Sequence, residues 1–86
     1  MKRIIEDTDT NGLDALVGEV VLLLCANYFY TGKLTGVSDT FVELTDTSIV
    51  YETGEWSSRT YKDAQKLPVD VWFVQRAFIE SFGKSK

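Results

Sequence analysis

The chain has 86 residues, a formal net charge of −4, 44% hydrophobic residues and 13% aromatic residues. That composition excludes a disordered chain and fits one domain with a small core, for which self-association is a reasonable expectation. The negative charge argues against non-specific coating of nucleic acid, which runs on Lys and Arg, while leaving room for a local basic pore.

Cys25 is the only cysteine, so no internal disulfide can form and nothing points to an oxidising compartment. The first ten residues lack the apolar stretch of a secretory signal, and the longest apolar run, 20–26, is too short for a bilayer. These features predict a soluble, cytoplasmic protein with no membrane partner.

In chain order, residues 1–9 read as a charged, flexible lead-in. Leu13, Leu16 and Val17 then fall at helical spacing, with Thr10 or Asn11 able to cap the start and Gly18 placed as a C-terminal stop. The spacing predicts one short helix over 11–17. Residues 19–26 are β-rich and apolar enough to be covered on both faces, and Ala26-Asn27 is a turn candidate. A strand over 28–37 follows, carrying Gly32 and Gly36 four apart. Glycines inside a strand weaken it and mark a bend or bulge, which a small sheet needs in order to curl.

A third strand is expected over 41–51, with a break near Asp46-Thr47, and 52–55 is a turn. Residues 56–66 are polar, include Arg59, Lys62 and Lys66, and read either as a long loop or as an extended hairpin. Pro68 precedes a fourth strand over 70–75, Gln75-Arg76 makes a tight link, and 77–82 is a fifth strand before a loose tail, 83–86. One short helix and five antiparallel strands in so few residues predict an all-β domain, or a small α+β one, built as a barrel.

The order of elements and the glycine stretch resemble the Sm/LSm family, and within it the small Sm-like proteins of cyanophages. The lead-in 13–21, with its leucines, Gly18 and an apolar strand, is similar to that family's entry into its first strand. Gly32, Leu34 and Gly36, followed by Asp39, Phe41, Leu44 and Asp46, resemble its first motif, and Val74-Gln75-Arg76 stands where its second motif has a hydrophobic residue, Arg and Gly. The chain differs in one extra residue between Gly36 and Asp39, in Val42 or Glu43 at the position of the family's Asn, and in Gln-Arg for Arg-Gly.

The resemblance implies an SH3-like barrel of five strongly bent strands behind an N-terminal helix. It implies a homo-oligomeric ring in which the fourth strand of one subunit pairs with the fifth of the next, with Trp72, Val74 and Phe78 at the contact. It also implies single-stranded, U-rich RNA at the inner rim, held by Asp39, Phe41, Glu43, Gln75 and Arg76, with Phe41 stacking a base and Arg76 stacking or contacting phosphate. The alternative from another class is a ring that serves as a structural or protein-interaction module without nucleic acid, favoured by the acidity and the missing Asn.

Each residue also has a plainer reading. Gly32 and Gly36 serve the bend, Phe41 is somewhat better placed as a core residue than as a stacking platform, Arg76 is a solvated turn residue, and Asp39 caps its own loop through an Asx-turn. Tyr28, Phe29, Tyr30, Tyr51, Trp56, Tyr61 and Trp72 are more aromatics than so small a domain can bury, so some belong at subunit contacts. Asp7-Thr8-Asp9-Thr10-Asn11-Gly12 matches the opening of a calcium loop, but position twelve is Gly18 instead of an acid, so an acidic lead-in is the preferred reading. There is no histidine, Cys25 has no basic neighbour in sequence, and no carboxylates form an evident pair. The expectation is a protein that is not an enzyme and uses no cofactor or metal.

Overall fold

The computed structural model describes residues 2–6, 8 and 11–86. Within them lie six strands: β1 (Val20–Cys25), β2 (Phe29–Val37), β3 (Phe41–Glu52), β4 (Asp63–Lys66), β5 (Val71–Gln75) and β6 (Ile79–Lys84). All pairings are antiparallel. The sheet runs β4-β3-β2-β1-β6, and β5 also pairs with β3.

β3 is the axis of this arrangement. Its first half, Phe41 to Thr45, pairs with β5, and its second half, Ser48 to Glu52, pairs with β4 on the same edge. The hinge between the halves is Asp46, a non-glycine residue at φ 53°, followed by Thr47, which is 1% exposed. The Leu67 amide donates to the Thr47 carbonyl at 2.8 Å where the chain leaves β4 for β5. The break expected near Asp46-Thr47 is therefore a bend inside one continuous strand. Gly32 lies against that bend, and the β2–β3 register shifts both there, between Thr31 and Lys33, and just before Gly36.

Covalent reach makes the sheet curl. Laid flat, β5 and β6 would stand four strand spacings apart, about 19 Å. Only the turn Arg76–Phe78 joins them, and the step from Gln75 to Ile79 can span at most about 14 Å. The two ends of the sheet must therefore approach each other, and the inner face becomes the core. Val21, Leu23, Leu34, Val42, Leu44 and Val74 fill it, with Leu13 and half-buried Trp72 and Ile79 packed alongside. In β3 the alternation is strict over Phe41 to Leu44: Val42 and Leu44 point in, Phe41 and Glu43 point out. β1 buries Val21, Leu22 and Leu23 in succession, as a strand covered on both faces does.

Four expectations differ from the structure. In place of a helix over 11–17 there is a single 3-10 turn, Asp14–Leu16, with Leu13 buried and Val17 exposed. The helix cannot continue because Gly18 turns the chain at φ 96° and donates to the Leu34 carbonyl at 2.7 Å, which starts the pairing with β2. Asn11 does not cap this turn: its side chain donates to the Glu6 carbonyl and to Thr8 Oγ1. The other candidate cap, Thr10, lies outside the described residues, as do Asp7 and Asp9 of the calcium-like match.

The sheet has six strands instead of five, because the end of the polar stretch, read as a long loop or an extended hairpin, pairs antiparallel with β3 as β4. All four β4 residues are exposed, so hydrophobic alternation carries no trace of it. The last strand begins two residues later than expected and ends two later, since Arg76–Phe78 forms a 3-10 turn. The tail expected to be loose is tied down: Gly83 and Lys84 belong to β6, and the Ser85 amide donates to the Val20 carbonyl at 2.9 Å.

Candidate functional site

The residues assigned to a ligand rim come from two distant parts of the chain. Ser38, Asp39 and Thr40 link β2 to β3, and Gln75 and Arg76 end β5. The fold brings them together by pairing: Phe41 stands opposite Gln75 and Glu43 opposite Phe73. The Arg76 amide then donates to the Thr40 carbonyl at 2.8 Å.

Ser38 closes the β2–β3 loop. Its Oγ accepts from the Phe41 amide at 3.0 Å and the Thr40 amide at 3.3 Å, and its own amide donates to the Phe41 carbonyl at 2.9 Å. This is the turn that Asp39 was expected to make. A serine two or three residues before the donating amides serves equally well, and Asp39 is left exposed at the tip.

Arg76 is half-buried and holds these parts together. Its Nη1 donates to the Ser38 carbonyl at 2.9 Å, and its Nη2 to Asp14 Oδ1 at 3.2 Å. Side-chain exposures of 28% and 32% for Arg76 and Asp14 put the ion pair partly out of water. The reading of Arg76 as a solvated turn residue is therefore replaced by a clamp that joins the lead-in turn, the β2–β3 loop and the end of β5. Its charge is already matched by Asp14.

Phe41 is not a core residue. It is 42% exposed on the outer face and meets Phe73 edge to face, with ring centroids 5.3 Å apart. Glu43 lies on the same face and accepts from Thr35 Oγ1 at 2.8 Å. Phe41, Glu43, Phe73 and exposed Gln75 thus form one outward patch, with Asp39 and Arg76 at its upper edge. The guanidinium is paired with Asp14, and Asp39 and Glu43 belong to the same two strands and loop, so the patch offers aromatic surface and hydrogen bonding more than it offers positive charge.

Of the residues expected at a subunit contact, Phe78 is 62% exposed. Val74 is in the core and Trp72 packs against it, because both sit on the inward phase of β5. Phe73, which the sequence reading did not single out, is exposed instead; its alternation with Trp72 and Val74 was the available signal.

A groove of about 360 Å³ lies beside β5, with Cys25, Tyr28 and Tyr30 on one wall and Trp72, Gln75 and Phe78 on the other. Four successive β5 residues, Trp72 to Gln75, line it. Successive residues point to opposite faces, so the groove runs along the strand's edge, and β3 occupies the other edge. Burial pushes the Cys25 thiol up, and it does the same to the Tyr30 hydroxyl, with Cys25 and Tyr28 adding to that rise. A thiol held protonated is a poor nucleophile.

Among the described residues no three His, Cys, Asp or Glu side chains gather as metal ligands, and no helix is long and apolar enough to cross a membrane. The fold defines an antiparallel all-β protein in which, among the described residues, one edge of β5 is unpaired beside an aromatic groove. Comparisons with protein-family models, curated proteins and solved structures gave no match.

Proposed function

We propose that the chain is an Sm-like small barrel that assembles with copies of itself into a ring, acting there as a structural or protein-interaction module. One observation carries this reading: among the described residues β5 and β6 each keep an unpaired edge at the two ends of the sheet, and the turn Arg76–Phe78 joins them. An exposed edge is a template for another strand. Because the two edges differ, a β5-to-β6 contact between copies is head to tail and closes into a ring when the rotation permits. The groove beside β5 and the exposed Phe73, Phe78 and Phe82 provide apolar surface for such a contact.

A second reading adds single-stranded RNA at the inner rim, through Asp39, Phe41, Glu43, Gln75 and Arg76. What favours it is the exposed Phe41 ring next to the loop held by Arg76, since base stacking on an aromatic tolerates any sequence. The pairing of Arg76 with Asp14 weighs against it, because phosphate contacts need free cations.

Native mass spectrometry of the protein, alone and with a short U-rich RNA, separates these readings. A single closed oligomer with no RNA supports the module. The same oligomer carrying RNA, lost on Phe41→Ala and weakened by salt, supports the second reading. A monomer in both samples rejects the ring.

A further inference from the structure

The loop between β3 and β4 holds an ammonium group in a cage of its own making. Lys86 Nζ donates to the Thr53 carbonyl at 2.6 Å and to the Glu55 carbonyl at 2.8 Å. It also lies 5.0 Å from the Tyr61 ring centroid and 5.4 Å from that of Trp56. Both rings are within the range where a cation is drawn to an aromatic face. Among the described residues no carboxylate pairs with this ammonium: two carbonyl dipoles and two π faces hold it.

The cage is built without Lys86. The Thr53 carbonyl also accepts from the Lys62 amide at 3.3 Å, which closes the loop. The Glu55 carbonyl also accepts from the Ser58 amide at 3.0 Å, which closes the turn inside it. A carbonyl has two lone pairs, so each spends one on the loop and has one left for the cation. Gly54, between the two, sits at φ 71°, and this left-handed residue turns both carbonyls to one point. Tyr61 is fixed in turn by the contact of its hydroxyl with Ser85 Oγ. Trp56 remains 62% exposed even with Lys86 in place, so most of the indole is uncovered.

We propose that the 53–61 loop is a binding site for the lysine side chain of a partner protein, and that Lys86 is its tethered competitor. The contacts define the ligand. Two carbonyls require N–H donors, so a primary ammonium fits and a trimethylated one does not. A compact charge fits between two rings, whereas a guanidinium spreads its five donors in a plane. The net charge of −4 attracts basic partner surfaces. Lys86 acts at high effective concentration because Ser85 holds it beside the cage.

The test uses the full chain and its Lys86→Met variant, which keeps an unbranched side chain one atom shorter and removes the charged group. Nα-acetyl-lysine N-methylamide is titrated in while the Trp56 indole N–H resonance is followed. The variant responds saturably, and the unaltered chain needs about tenfold more probe or beyond, as expected for a tethered competitor. The norleucine and trimethyl-lysine analogues give no response. A second readout needs no binding: in the unaltered chain the Lys86 ε-methylene protons are shifted upfield by the rings, and Trp56→Ala reduces that shift. The proposal is overturned if Lys86→Met ignores the lysine probe, if the norleucine analogue acts equally, or if the unaltered chain and the variant respond alike. An unshifted Lys86 ε-methylene overturns it as well.

Discussion

Gly32 and Thr47 meet so closely that a Cβ on Gly32 would lie 3.1 Å from Thr47 Oγ1, and 3.0 Å from the Thr45 carbonyl oxygen. The bend of β3 drives Thr47 inward against β2, and only a residue without a side chain lets the two strands approach there. The Thr47 hydroxyl has no hydrogen-bond partner among the described residues, so the closeness is steric. Gly36 differs: a Cβ there would meet Glu43 Cβ at 3.7 Å, an ordinary contact.

Gly32→Ala is therefore expected to lower stability by about 1–3 kcal/mol, the usual range for overpacking against backbone. Gly36→Ala should change it by less than about 1 kcal/mol. Urea unfolding of the two variants tests the contrast. Equal losses would mean that the bend does not depend on the Gly32 approach.

The Arg76 clamp has a measurable energy. Removing it leaves the Ser38 carbonyl and the Asp14 carboxylate without this partner in a partly buried position. Arg76→Ala should cost about 1–3 kcal/mol. Asp14→Asn should cost less, and the double variant less than the sum, with a coupling of about 0.5–1 kcal/mol after allowance for solvent screening. Full additivity would show that the ion pair contributes nothing measurable.

Stability should fall with rising pH. Cys25 and Tyr30 have ordinary values of 9.0 and 10.0, and both are raised in the folded chain, first by burial. The Lys66 ammonium is raised as well, by its hydrogen bond and charge pairing with Asp46. In each case the folded state keeps its proton longer than the unfolded state, so the stability is complete below the unfolded value and is lost above it. Denaturation midpoints should hold through neutral pH and decline from about pH 9 upward. Cys25→Ala should delay the onset by about a unit, and Cys25 should resist alkylation at neutral pH until the protein is unfolded.

Assembly should depend on the apolar surface next to the unpaired edges. Phe78 is exposed in the turn between β5 and β6, so Phe78→Asp should leave the folded chain intact while shifting a ring toward monomer. Circular dichroism and native mass spectrometry on one sample read both outcomes. An unchanged oligomer would place the contact elsewhere.

A continuous apolar run made β1 legible, as expected of a strand covered on both faces, and β-rich stretches bounded by turn residues made β2, β3 and β5 legible. The same local signals went wrong wherever the partner was distant in sequence. Leu13, Leu16 and Val17 carry helical spacing, yet the pull of Leu34 on Gly18 ends the turn after Asp14–Leu16. β4 has no hydrophobic face and exists because β3 offers it backbone partners beyond the bend. Phe41 and Val74 are both apolar strand residues, and only their phase in the curled sheet decides that one faces out and the other in.

The candidate sites divide in the same way. Gly32 announced itself through its type, since a strand glycine has few other uses. The role of Arg76 could not be read, because its partners Ser38 and Asp14 lie 38 and 62 residues away. The lysine cage was equally hidden, since Lys86 reaches Thr53 and Glu55 from 33 and 31 residues off. By itself the sequence determined the all-β class and most strand positions and marked Gly32 and Gly36 as strand glycines, because these follow from local pattern and residue shape. The sixth strand, the face each aromatic presents, and the partners of Arg76 and Lys86 were decided only by the tertiary structure, because they depend on which distant backbone and side-chain groups the curl of the sheet brings within hydrogen-bonding distance.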